Sequence, residues 1–136
     1  HTDWRQRIID GCEAADLDVD FTSAVTDHAA SDAAGDHLRE APAGWFRDNQ
    51  SAKVNAIRTR TLIEQADVAV VRFGEQYRQW NAAFDAGYCA ALGTPYVTLH
   101  DDALTHALKE VDAAACAWAT TPEQVVEVLR YVIAKG

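Results

Sequence analysis

A chain of 136 residues, 49% of them apolar, with four each of Trp, Tyr and Phe, is long enough to form one domain with its own core. Its net charge of −9 excludes general nucleic-acid binding, which needs a basic face, but leaves room for one nucleotide held by two or three local arginines. No apolar run reaches the ~18 residues of a membrane span, and the three cysteines, Cys12, Cys89 and Cys116, show no CxxC spacing; the sequence predicts buried, reduced thiols in a cytoplasmic protein without a signal peptide.

Residues 3–15 place Trp4, Ile8, Ile9, Cys12 and Ala15 at helical spacing, with Asp3 at the N-cap. Residues 17–21, LDVDF, alternate apolar and acidic side chains and predict an edge strand with one wet face. Residues 22–44 are rich in Asp, Ala, Ser and His and predict a long loop with a short helical turn. A helix is expected from about Asn49 to Gln65, with Val54, Ile57, Thr61, Leu62 and Gln65 along one face and Ala56 and Ile63 flanking it. Residues 67–73, DVAVVRF, form the near-continuous apolar run of a central parallel strand, and residues 74–79 the loop that leaves it.

Residues 81–92 predict a helix of small residues (Ala82, Ala83, Ala86, Gly87, Ala90, Ala91), with Gly93 at its C′ position. Pro95 opens a strand over 96–99, residues 100–110 a loop and short helix, and 115–119 a weak strand. Thr121, Pro122 and Glu123 supply an N-cap, an N1 proline and an acid at N2 for a last helix to about Ala134, with Val125, Val128, Leu129 and Val132 on its apolar face. Strands alternating with helices predict an α/β fold: a three-layer α/β/α domain over residues 1–136 with a mostly parallel sheet, flavodoxin-like or Rossmann-like.

The stretch 66–98 carries the most chemistry. It reads as buried strand, polar loop, small-residue helix and buried strand, with one carboxylate, Asp85, inside the helix. Open α/β sheets bind small ligands at the carboxyl ends of their strands, where this acid is expected. Phe84-Asp85-Ala86-Gly87-Tyr88 followed by Leu92-Gly93-Thr94-Pro95 resembles the nucleoside 2-deoxyribosyltransferase superfamily, whose catalytic acid precedes a Gly in such a helix. More narrowly, the chain is similar to the YtoQ family of that superfamily. The closer match rests on His1-Thr2-Asp3-Trp4-Arg5, Thr26-Asp27-His28 with Ser31-Asp32, Asn55-Ala56-Ile57-Arg58-Thr59, Phe73-Gly74 with Tyr77, Gln79 through Ala86, and His106-Ala107-Leu108-Lys109-Glu110.

The resemblance implies N-glycosidic chemistry on a nucleoside or nucleotide, with Asp85 as the catalytic carboxylate, and a homo-oligomer. It also implies a first strand ahead of His1, which is expected to be missing from this chain. The transferases use a Glu nucleophile and two Asp that grip the base; here Asp85 takes the nucleophile position, and Thr59 and Gln79 align with the base-gripping acids. Hydrolysis is therefore expected over transfer.

N-glycosidic cleavage passes through an oxocarbenium-like state that a carboxylate stabilises or attacks. Asp is shorter than Glu by one carbon–carbon bond, roughly 1.5 Å, so direct attack needs the sugar closer to the helix. Arg58 or Arg60 is a candidate for a nucleotide phosphate or a sugar hydroxyl, with Asn55 one turn before Arg58. Trp80 is placed to stack on a base and Asn81 to read its edge. His28, beside Asp27 and Asp32, is a candidate acid/base group, and Asp3 a ligand contact at the start of the first helix. No cofactor is expected: GxGxxG and GxxxxGK are absent, and His100, Asp101 and His106 match no standard metal spacing. Neither a nucleic-acid polymer nor a membrane is expected as a partner. The alternative is a non-catalytic nucleotide or nucleotide-sugar binding module on the same fold.

Overall fold

A computed structural model describes residues 3–25, 28–33, 44–75 and 79–133, the side chains of His28, Asp32, Phe46 and Arg47 excepted. In chain order they form α1 (Trp4–Ala14), α2 (His28–Ala33), α3 (Gly44–Gln65), β1 (Ala69–Phe73), α4 (Trp80–Leu92), β2 (Tyr96–His100), a 3₁₀ turn (Asp102–Leu104), α5 (Lys109–Ala114), β3 (Ala117–Ala119) and α6 (Pro122–Ile133). The chain divides into two compact units, one of His1–Phe21 with Ala66–Gly136 and one of Thr22–Gln65.

The first unit holds a three-stranded, all-parallel sheet in the order β1-β2-β3. Ala69 lies opposite Tyr96 and Phe73 opposite His100, while Val97 to Leu99 pair with Ala117 to Ala119. Helices cover both faces, which gives the three-layer α/β/α arrangement expected of such strands. On one face Val97, Leu99 and Ala119 pack with Ile8 and Cys12 of α1 and with Val125, Val126 and Leu129 of α6. Alternate strand residues turn to the other face, where α4 and α5 lie. Ala86 and Cys89 are the buried residues of α4. Every residue of β2 is buried, as expected of a central strand covered on both sides.

Local chemistry sets the helix ends. α4 stops at Gly93, whose φ of 75° is left-handed, and the Thr94 N–H donates to the Cys89 carbonyl at 3.0 Å. At α6 the Gln124 N–H donates to Thr121 Oγ1 at 3.3 Å, and Gln124 Oε1 accepts from the backbone N–H of Thr120 at 2.7 Å and of Thr121 at 3.4 Å. This is a reciprocal capping box built on Thr121 and Gln124.

Several expectations change. Asp3 occupies the N-cap position of α1, but its side chain makes no capping hydrogen bond. Residues 17–21 are not a strand. Leu17 and Val19 turn inward and Asp18 and Asp20 outward as the alternation requires, but none of the three described strands pairs with them. Pattern alone does not make a ladder; a neighbouring strand must supply its hydrogen bonds. α3 begins five residues before Asn49, at Gly44. Within it Ile63 is buried while Ile57 is 61% exposed, so the buried face is rotated from the expected one. On α6 the same shift exposes Val132 and buries Val126. Cys12 and Cys89 are buried free thiols, whereas Cys116 is exposed. Among the described residues no helix is long and apolar enough to cross a membrane.

The second unit pairs α2 with α3. Asn55 of α3 ties them: its Nδ2 donates to the Ser31 carbonyl at 3.1 Å and meets Ser31 Oγ at 3.0 Å.

The α1–α6 contact depends on Gly11. A Cβ built there would stand 2.7 Å from Val126 Cγ2, a buried, branched side chain with little room to yield. Gly11→Ala should therefore lower the thermal midpoint, because overpacking of about 1–3 kcal/mol exceeds the helix-propensity gain of about 0.5–1 kcal/mol. Adding Val126→Ala should recover part of the loss in the same melting experiment.

Candidate functional site

Because the three strands are parallel, their carboxyl ends open on one side of the sheet. A cleft of about 260 Å³ lies there, entirely within the first unit. β1 contributes Arg72 and Phe73 to it, and β2 contributes Leu99 and His100. The start of α1 adds Asp3, Trp4 and Arg7; Thr120 and Pro122 come from the start of α6, and Glu75 and Asp101 from the loops after the strands. Helix starts concentrate unpaired N–H groups, so this rim carries partial positive charge.

The charged groups of the cleft differ in how far they are satisfied. Arg7 is forked onto Glu123, with Nη2 2.7 and 2.8 Å from the two carboxylate oxygens and Nε at 3.0 Å. That pairing raises Arg7 and holds the Glu123 carboxyl below its ordinary range. Asp101 is engaged as well, its Oδ1 accepting the Ala103 N–H at 2.8 Å. Arg72 is half-buried and, among the described residues, has no hydrogen-bond or ion-pair partner. Arg5 lies over the Trp4 ring, 4.3 Å from its centroid. Burial, and then the charge of Arg72, push its guanidinium below the ordinary value.

On the α5 face of the sheet a polar network underlies the cleft. His100, buried to 3% exposure, faces the Asp101 carbonyl through Nδ1 at 2.8 Å and Asp112 Oδ2 through Nε2 at 2.9 Å. Asp112 Oδ1 accepts the Thr98 hydroxyl at 2.7 Å, and the Tyr96 hydroxyl donates to the Val111 carbonyl at 2.5 Å. The imidazole stacks on Trp118 with centroids 5.3 Å apart and meets Phe73 edge-on. Both ring nitrogens are engaged with protein oxygens, so His100 shapes the cleft floor and pins α5 to β2. The sequence gives His100 no role, since its spacing to Asp101 and His106 matches no standard metal pattern. Among the described residues no group of three or more His, Cys, Asp and Glu is arranged to hold a metal ion.

Asp85 sits in the second turn of α4, half-buried, with no hydrogen-bond or ion-pair partner among the described residues. Burial pushes its carboxyl group above the ordinary value of 3.8. Cys89, one turn on, is raised by its own burial and then by the Asp85 charge. Asp85 is not among the residues that line the cleft.

Of the remaining candidates, Trp80 and Asn81 open α4, both exposed, and Asp3 lines the cleft rim. Asn55, Arg58, Arg60 and His28 belong to the second unit. The Asn55 amide nitrogen is engaged with Ser31. Arg60 turns Nε back toward the Ala56 carbonyl of its own helix at 3.4 Å. Arg58 is exposed and has no partner among the described residues. The His28 side chain, Asp27 and Tyr77 lie outside the described residues. The sequence reading missed Arg72, Arg7 and Asp112. Arg72 left a signal, as the one charge within the strand AVVRF; Arg7 and Asp112 left none, since their partners lie 116 and 12–14 residues away.

Residues 1–133 match the family model described as nucleoside 2-deoxyribosyltransferase YtoQ. The chain is also similar to the uncharacterized protein YtoQ of Bacillus subtilis (strain 168), at 32% identity over 133 residues, which is 97% of this chain and 90% of that protein.

Two outcomes follow from these contacts. Asp112→Ala strips His100 and Thr98 of a shared acceptor, and should cost about 3 kcal/mol in a urea titration, the lower end for breaking a buried pair; Asp112→Asn, which keeps the shape, should cost less. Asp85 acts in the opposite sense. An acid whose folded pKa lies above its unfolded value makes the native state less stable as pH rises through the interval between them. Asp85→Asn should therefore melt higher than the wild type at pH 7, and the gap should close as pH falls to the ordinary value of 3.8.

Proposed function

The chain belongs to the YtoQ family, and we propose that it is an enzyme that cleaves the N-glycosidic bond of a nucleoside or nucleotide, with Asp85 as the catalytic carboxylate. One observation carries the reading: α4 holds this carboxyl group half-buried, raised by desolvation and without a partner among the described residues. A structural acid at such a position would ordinarily be paired or solvated, whereas catalytic carboxylates are held in this way.

As the bond to the base lengthens, positive charge grows at the anomeric carbon. A carboxylate held in a weakly solvated setting stabilises that charge more than one in water. Asp85 then either bonds to the carbon, giving a glycosyl ester that water hydrolyses, or directs a water to it. By the resemblance, Thr59 and Gln79 align with the acids that grip a base for transfer, and their replacement supports hydrolysis. Trp80 offers an exposed ring to the base and Asn81 an amide to its edge. The Arg58 guanidinium is available for a sugar hydroxyl; Asn55, Arg60 and His28 are secondary candidates. The exposed Trp80 and Phe84 side chains, one turn apart on α4, support self-association.

Asp85→Asn should reduce base release from nucleosides and nucleoside monophosphates by about 10²–10⁴-fold, followed by chromatography of the freed base. An unchanged rate removes Asp85 from the reaction. The second reading, a non-catalytic nucleotide or nucleotide-sugar binding module, draws on the cleft's lining, which does not include Asp85. It predicts ligand binding without turnover in the wild type.

A further inference from the structure

We propose that the cleft at the carboxyl ends of β1, β2 and β3 binds the phosphate monoester of a sugar, with the Arg72 guanidinium on the phosphate and the Asp3 and Glu75 carboxylates on sugar hydroxyls. This goes beyond the Asp85 reading and does not depend on it.

The two arginines lining the cleft are in opposite states. Arg7 has spent its fork on Glu123. Arg72 has no such acid, although it is half-buried and projects from a strand whose other residues are Ala, Val and Phe. A cation partly withdrawn from water and left unpaired is costly unless an anion completes it. Arg5 brings a second guanidinium, placed on Trp4 and within electrostatic reach of Arg72. Two guanidinium groups that feel each other's charge, with no carboxylate bonded to either among the described residues, favour an anion beside Arg72. The forked guanidinium geometry suits phosphate oxygens.

Gly74 makes the room. A Cβ built there would lie 3.1 Å from Arg72 Nη1, so the absence of a side chain lets the guanidinium fold over the turn after β1. The acids on the rim narrow the ligand further. Asp101 is engaged by Ala103, but Asp3 leaves its capping position unused and Glu75 is exposed. Carboxylates repel a bare anion and accept hydrogen bonds from hydroxyls. The pairing therefore selects a ligand that carries a phosphate and a polyol together. At about 260 Å³, the cleft is below the roughly 300–1,000 Å³ of drug-sized sites, a space for a sugar phosphate rather than a dinucleotide.

Calorimetric titration of the full chain with ribose 5-phosphate, ribose and inorganic phosphate tests this directly. Wild-type protein should bind ribose 5-phosphate about tenfold or more tighter than either other probe. Arg72→Gln should erase the preference over ribose, and Arg72→Lys and Gly74→Ala should each retain part of it, with circular-dichroism melts reporting whether each variant is folded. Asp85→Asn should keep the preference even where base release is lost, which separates failure of this site from failure of the catalytic reading. Equal affinity for ribose and ribose 5-phosphate overturns the proposal, as does inorganic phosphate binding as tightly as ribose 5-phosphate, or no binding of any probe. It is equally overturned if folded Arg72→Gln keeps the preference, or if Arg58→Gln removes it.

Discussion

Parallel pairing of β2 with both neighbours is the constraint on which the first unit rests. It leaves β2 with no exposed edge and no exposed face, so every side chain from Tyr96 to His100 must find a partner inside the protein. On one face the partners are apolar, and Val97 and Leu99 join the core made by α1 and α6. On the other face Thr98 and His100 are polar, and burial makes their hydrogen bonds obligatory. Asp112 meets both from α5, so a helix of six residues, too short to be stable by itself, is held by the sheet's need for an acceptor. The same pairing brings the carboxyl ends of three strands level, and this creates the cleft.

The sequence shows the sheet more clearly than the surroundings of the sheet. DVAVVRF and PYVTLH announce themselves because a central strand needs apolar residues on both faces, and the Thr121-Pro122-Glu123 start and Gly93 stop are chemistry local to three or four residues. LDVDF satisfies the local rule for an edge strand, apolar and acidic side chains in alternation, and still forms no strand, because a ladder is a relation between segments that one segment cannot encode. The register of α6 was misjudged for a similar reason: Val126 is buried because Gly11, far off in sequence, lets α1 come close.

The candidate site follows the same division. Asp85 stands out in the sequence as an acid among small residues, and in the fold burial raises its carboxyl group. The Arg7–Glu123 fork and the His100–Asp112 pair were invisible, since each joins elements that only the fold brings together. The cations differ in a way that composition does not show. Arg58, Arg60 and Arg72 look alike in a list of cations, yet Arg60 leans on its own helix and Arg58 is exposed, while Arg72 is half-buried at a strand end without an acid. How far a charge is satisfied is visible only in the fold, whereas its presence is visible in the sequence.

Asp85 and Arg72 are the two places where the first unit breaks its own rules. Its other described charges are paired, capped or exposed, or in Arg5 laid over the Trp4 ring; here an acid and a base are each half-buried with no partner among the described residues. Neither has settled by pairing with the other, because the sheet separates them. Arg72 alternates onto the face of Val70, which packs with the α1 and α6 core, while Asp85 is on α4, across the sheet. A ligand that met both would have to pass over the end of β1, where Phe73 lines the cleft and Gly74 follows without a side chain. Local departures of this kind lower stability and persist where a function uses them. On the two proposals, Arg72 holds an anionic group on one side of the strand end and Asp85 faces a developing cation on the other.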